Sequence, residues 1–179
     1  LVLATQNPIE SQGTYPLPEA QLDRFLFKVE VGPPSRELER AILANHLAGF
    51  DSSALEKVGL VRVLDAQGLE AWQQRLRAVA VDASILDYIT SIVAATRAHA
   101  SVLFGASPRA SLALLFTAQT RAASRGRPFV VPDDVKQLAP AVLRHRIGLE
   151  PDAEIEGLGP DDVIAAILKD VRVPATIAG

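Results

Sequence analysis

Cysteine is absent from these 179 residues, and so is methionine. Without thiols the chain forms no disulfide, offers no thiolate to a metal and has no cysteine nucleophile, a usage that fits a cytoplasmic protein. A translated chain starts with methionine, so the expectation is that this sequence begins inside a longer polypeptide. No apolar run approaches the roughly 18 residues that a membrane-spanning helix needs. His46, His99 and His145 are scattered without HExxH or any other ligand spacing, so no metal site is expected. Ser101, Ser107 and Ser111 lack a GxSxG setting. None of the four lysines follows a glycine. There is therefore no GxxxxGK[ST] loop to cradle a phosphate, and no apolar strand ends in the paired acids that hold Mg²⁺. A net charge of -3 and a pI near 5.6 argue against a dedicated nucleic-acid binder, which needs a basic surface.

What is present is ordinary globular material: 49% hydrophobic and 22% charged residues, enough to bury a core. Charge is unevenly spread. Residues 97–146 hold eight Lys or Arg against Asp133 and Asp134, whereas residues 147–179 hold two against seven acids. Either this is a solvated basic face beside an acidic neighbour, or a basic middle that meets bound phosphates or an adjacent acidic subunit.

Strand-like apolar runs occupy 1–4 and 25–31, separated by a polar loop with Pro8, Gly13, Pro16 and Pro18. Gly32-Pro33-Pro34 is a strong breaker and the best domain boundary. Beyond it the pattern is helical. Ser35 caps a helix to about Leu47, with Glu37 and Glu39 in its first turn and Leu38, Ile42, Leu43 and Leu47 as an apolar stripe. A second helix over 66–77 carries Leu69, Trp72 and Leu76 on one face. Val79 to Val81 reads as an extended link. Asp82 caps a helix with Ile85, Leu86, Ile89, Ile92 and Val93 at three- and four-residue spacing. Ser107-Pro108 opens another, with Leu112, Leu115, Phe116 and Gln119 on one side and Gly126 beyond its end. Phe129 to Val131 is short and extended. Pro-Asp-Asp-Val at 132–135 and again at 160–163 is a repeated helix-start device, leading to helices that end near His145 and Val171.

Three residues stand out chemically. Asn7 closes the first strand in Thr5-Gln6-Asn7-Pro8, where a neutral amide can orient a water or touch a phosphate oxygen without adding charge. By itself that string is an ordinary turn. Arg24 lies between Asp23 and Phe25. It reads either as the partner of Asp23 or Glu19 in a local ion pair, or as a guanidinium presented at a domain edge to phosphoryl chemistry. Arg109 stands in the first turn of the helix opened by Ser107 and Pro108, where free N–H groups and the helix dipole favour an anion.

In order, ATQNP at 4–8, GTYPLPEAQLDRF at 13–25, GASPRA at 105–110, Pro132-Asp133-Asp134-Val135 and LAPAVLRHR at 138–146 resemble the MoxR family of AAA+ ATPases over about 150 residues. The resemblance implies a mainly α fold: a helical AAA+ lid over 35–179, preceded at 1–34 by a remnant of the α/β core with two strands and a loop. It implies that Asn7 is the sensor-1 residue, Arg24 the arginine finger that reaches a neighbour's ATP, and Arg109 the sensor-2 arginine of the lid, with Asn7 and Arg109 contacting ATP phosphates. It further implies ATP and Mg²⁺ as cofactors, a hexamer, a partner with a von Willebrand A domain, and a client metalloenzyme such as methanol dehydrogenase. No nucleic acid and no membrane partner is expected. The phosphate loop and the acidic Mg²⁺ site of the family lie ahead of residue 1, so this chain alone is expected to be inactive and to hold no cofactor tightly. In the family's sheet the strands matching 1–5 and 25–31 are not neighbours. The N-terminal segment is therefore expected to be disordered, paired with another chain or rearranged. The competing readings are a stand-alone helical interaction module that uses the basic 97–146 stretch, and part of a related nucleic-acid motor.

Overall fold

The structure, a computed structural model, describes residues 2–6 and 18–175, with Glu19 described by its backbone alone. In chain order its elements are α1 (Glu19–Leu22), α2 (Arg36–Leu47), a 3-10 turn (Leu55–Val58), α3 (Ala66–Arg77), α4 (Ala83–Ala98), β1 (Val102–Phe104), α5 (Pro108–Ser124), α6 (Pro132–Leu143), β2 (Gly148–Leu149), α7 (Pro151–Ile155) and α8 (Pro160–Asp170). The fold is mainly helical. The strand-like runs at 2–4 and 25–31 carry no strand, because a strand needs a neighbour for its backbone hydrogen bonds and neither run has one among the described residues. The two short strands that do form lie elsewhere: β1 and β2 pair antiparallel, with Val102 opposite Leu149 and Phe104 opposite Gly148.

Contacts divide the chain into two compact units, one from residues 1–28 with 78–179 and one from 29–77. The boundary expected at Gly32-Pro33-Pro34 rests on chain-breaking sequence, which is a different criterion.

In the larger unit, polar caps start the helices where the sequence places them. Asp82 accepts from the Ser84 N–H at 2.8 Å at the head of α4, and Ser107 accepts from the Arg109 N–H at 3.2 Å at the head of α5. The two Pro-Asp-Asp-Val segments work alike. The third helical residue reaches back, Asp134 to the Val131 N–H at 3.0 Å and Asp162 to the Gly159 N–H at 2.8 Å. Gly126, at φ 71°, supplies the left-handed turn past the end of α5.

The core lies among α4, α5, α6 and α8, with Ile92, Leu114, Leu143 and Ile164 fully buried. Each such side chain contributes roughly 1.5–3 kcal/mol by leaving water. The extended pieces around Ala80 and Phe129 meet as a parallel bridge: Ala80 N–H donates to the Pro128 carbonyl at 2.8 Å, and Val130 N–H to the Ala80 carbonyl at 3.0 Å. One expected face is wrong. α5 buries Ala110, Ala113, Leu114, Thr117, Ala118 and Ala122, while Leu112 and Phe116 are exposed. A helix packed between two others at close range needs small side chains on its inner face, and an apolar pattern alone does not rank small against large.

The smaller unit contains α2, the 3-10 turn and α3. Ser35 caps α2 by accepting from the Leu38 N–H at 3.3 Å. Both helices have their expected bounds, but their apolar stripes are not buried. Leu38, Ile42, Leu43, Leu47, Leu69 and Trp72 are exposed, and Ala54 is the one buried residue among those described in this unit.

Candidate functional site

A tight turn carries Arg24. Leu22 ends α1, and the N–H groups of Arg24 and Phe25 donate to the carbonyls of Gln21 and Leu22 at 3.2 and 3.0 Å. This turn lies against two places far along the chain, the head of α5 and the residues just past α6.

Past α6, Arg144-His145-Arg146 grips the turn from one side. Arg146 is buried. Its Nε donates to Asp23 Oδ1 at 3.0 Å, and its Nη2 donates to the carbonyls of Asp23 at 3.1 Å and Phe25 at 2.6 Å. Its Nη1 donates to the Leu26 carbonyl at 3.2 Å and also to that of Val142. Burial pushes the Arg146 pKa below its ordinary value, the Asp23 carboxylate pulls it back up, and Arg109 lowers it further. His145 Nε2 lies 2.9 Å from the Phe25 carbonyl, and the Lys28 N–H donates to the Ala141 carbonyl at 2.9 Å. From the other side, the Ser107 hydroxyl donates to Asp23 Oδ2 at 3.1 Å, and Arg109 Nη1 stands 3.7 Å from the same oxygen.

Asp23 is therefore the centre of the site, shared by two guanidiniums and a hydroxyl. Of the two local ion pairs that the sequence offers Arg24, the one with Asp23 does not form, since Asp23 turns to Arg146 and Arg109; the Glu19 side chain lies outside what the structure describes. Arg24 is exposed, and its side chain makes no hydrogen bond or ion pair with any described residue. Arg109 has a side chain 56% exposed and, among the described residues, is held only by the 3.7 Å pair. The structure thus brings the Arg24 turn and the head of α5 together. Asn7 lies outside the described residues.

Arg146, Asp23, Ser107 and His145 were not singled out as site residues from the sequence. The available signals were the Arg-His-Arg triplet, an unusual density of cation just past a helix, and the acid beside Arg24. The basic stretch 97–146 is largely engaged within the chain. Arg97 donates to the Ala106 carbonyl at 2.8 Å, Arg144 pairs with Asp161 at 2.8 Å, and Arg127 chelates the buried Asp134 at 2.8 and 2.6 Å. That carboxylate raises the Arg127 pKa above its ordinary value.

An exposed guanidinium with no partner among the described residues, and a second one loosely held at a helix N-terminus, are suited to phosphate oxygens. The cleft of about 600 Å³ beside Ala80 and Phe129 is mostly apolar, and its Asp82 is already occupied in capping α4.

Comparison with known proteins follows the same lines. Residues 94–167 match the AAA lid domain, and residues 1–27 match the ATPase family associated with various cellular activities (AAA). An uncharacterized protein, YeaC, of Bacillus subtilis is 43% identical over 173 residues, covering 97% of this chain and 52% of its own. Chaperone MoxR1 of Mycobacterium tuberculosis is 42% identical over 183 residues, covering 97% and 47%. Among solved structures, a candidate ATPase from Cytophaga hutchinsonii superposes with a TM-score of 0.85 at 33% identity, over 96% of this chain and 53% of that one. The chain spans about half the length of the relatives it matches.

Proposed function

Because this chain belongs to the MoxR family of AAA+ ATPases and corresponds to its C-terminal part, we propose that it supplies the phosphate-sensing and lid portion of an ATP-hydrolysing, chaperone-like machine. The observation that carries this reading is the exposed Arg24, unpaired among the described residues, beside an Asp23 that Ser107, Arg109 and Arg146 hold in place. A planar guanidinium kept free of local acids can bind phosphate oxygens in a bidentate way and stabilise the charge that develops as a phosphoryl group transfers. In the assembled machine Arg24 reaches the ATP of a neighbouring subunit, and Arg109 contacts phosphate from the lid. Asn7 orients the attacking water, a role that rests on the family resemblance alone.

ATP and Mg²⁺ are the cofactors. They are held chiefly by the phosphate loop and acidic pair of the family, which residues 1–179 lack, so this chain alone does not turn over ATP. A cytoplasmic hexamer, a von Willebrand A partner and a client metalloenzyme complete the proposal, with no nucleic acid or membrane involved. The rival reading, a stand-alone module that holds an acidic partner on the 97–146 stretch, has less support, since Arg97, Arg127, Arg144 and Arg146 already donate to acceptors within this chain.

The test joins this chain to a nucleotide-holding half and mixes wild-type with Arg24→Ala subunits. Turnover is expected to fall with the mutant fraction, toward a loss on the order of 10³-fold for the pure mutant. Unchanged hydrolysis at every ratio overturns the finger role. Arg109→Ala is expected to lower nucleotide-stimulated turnover, and an unchanged rate returns Arg109 to a structural part.

A further inference from the structure

We infer that Asp23 is a positioning residue for Arg24, latching the turn that carries it to the head of α5 and to the end of α6. The inference rests on the role proposed for Arg24 but concerns what aims it.

A lone exposed arginine on a four-residue helix and a turn has no means of its own to hold a direction, since its side chain makes no bond to any described residue. The direction comes from its neighbours in sequence. Asp23 immediately before it receives Arg146 at Oδ1 and Ser107 at Oδ2. Phe25 immediately after it offers its carbonyl to both Arg146 and His145. Arg24 is thus bracketed by two fixed residues, and Lys28 N–H pins the exit of the turn to Ala141 at 2.9 Å.

The partners lie some 84 to 123 residues away in sequence, which distinguishes this from a self-contained turn. Most of these bonds are charge-assisted, and the buried Arg146 makes four of them. A rigid support of this kind matters because misplacing a catalytic group by about 1 Å costs on the order of 100-fold in rate. The same carboxylate is also the only acid paired with Arg109 among the described residues. The two arginines therefore share one anchor.

Asp23→Asn is the decisive variant. It removes the charge while keeping shape and an acceptor for Ser107, whereas Arg146→Ala would empty a buried site and risk the fold. In the chain as it stands, amide exchange at Lys28 is expected to quicken at least about tenfold in Asp23→Asn as the latch loosens. Unchanged exchange overturns the latch. In the ATPase that contains the chain, Asp23→Asn is expected to lower kcat about 10- to 100-fold with little change in KM. In an Arg24→Ala background it is expected to cost several-fold less, because the part that acts through Arg24 is already lost and only the anchoring of Arg109 remains. Equal losses in both backgrounds overturn the positioning role. If Arg24→Ala itself leaves turnover intact, the finger reading fails instead, and the exchange measurement still decides whether Asp23 holds the turn.

Discussion

At the scale of single residues, His145 shows how a surface-like sequence position becomes constrained. A carbonyl only accepts, so the 2.9 Å contact with Phe25 makes Nε2 the donor and leaves Nδ1 without a proton. Nδ1 is buried and has no partner in the described structure, so protonation would create a buried, unsatisfied N–H. Burial accordingly depresses the His145 pKa; the Phe25 carbonyl raises it, and Arg146 and Lys28 lower it further, with Asp23 opposing them. A depressed folded pKa means that the unfolded chain takes the proton first. The contribution to stability is complete above the unfolded value, about 6.5, and is lost as pH falls through the folded value. Thermal melts of residues 1–179 are expected to drop as pH falls below about 6.5, the unfolded value, and His145→Gln, which can still donate to Phe25, should flatten that slope. An equal slope in the variant would assign the acid sensitivity elsewhere. Gly105 is constrained by space. A Cβ there would lie 2.6 Å from the Cα of Arg97 and 2.7 Å from its backbone nitrogen, neither of which can swing aside. Gly105→Ala is expected to cost about 1–3 kcal/mol, read from denaturant midpoints.

At the scale of elements, helix starts were legible in the sequence and inner faces less so. The two Pro-Asp-Asp-Val segments look the same on paper, and both third-position aspartates cap as their spacing implies. Their surroundings differ. Asp134 is 1% exposed and carries Arg127, with Arg121 Nε 3.5 Å away, whereas Asp162 caps at an exposed helix start. Asp162→Ala is expected to cost about 1 kcal/mol, as a lost cap does. Asp134→Ala is expected to cost roughly 3 kcal/mol, at the low end for a broken buried pair because Arg127 retains some access to water. Equal losses in chemical denaturation would show that the buried pair adds nothing beyond the cap. For α5 the spacing of Leu112 and Phe116 suggested the wrong face, since close helix packing selects alanine and threonine, a preference that depends on the neighbours' distance and not on the local pattern.

At the scale of the molecule, the two units differ in how they are held together. Residues 78–175 surround a continuous core, while residues 29–77 expose Leu38, Leu43, Leu47 and Trp72 and bury little beyond Ala54. Regions with few buried apolar contacts open at low free energy. Limited proteolysis of residues 1–179 is therefore expected to cut within 29–77 first and to leave a resistant 78–175 body; early cuts inside α4 to α8 would contradict this. The sequence also showed much of the candidate site. Arg24 and Arg109 stood out as chemistry in search of a phosphate, and the ordered strings from ATQNP to LAPAVLRHR pointed to the family.

The sequence by itself determined the caps and the helix bounds, because these depend on residue types within a few positions of one another, and it pointed to the family through the order of its strings along about 150 residues. Only the tertiary structure decided that Asp23 turns away from Arg24 toward Arg146, Ser107 and Arg109. It also decided that 25–31 forms no strand and that most arginines of the basic stretch find partners within the chain. Each of these outcomes is set by partners up to 123 residues distant, and a choice among ion-pair partners at that separation is made by where the folded helices bring them, which no local spacing encodes.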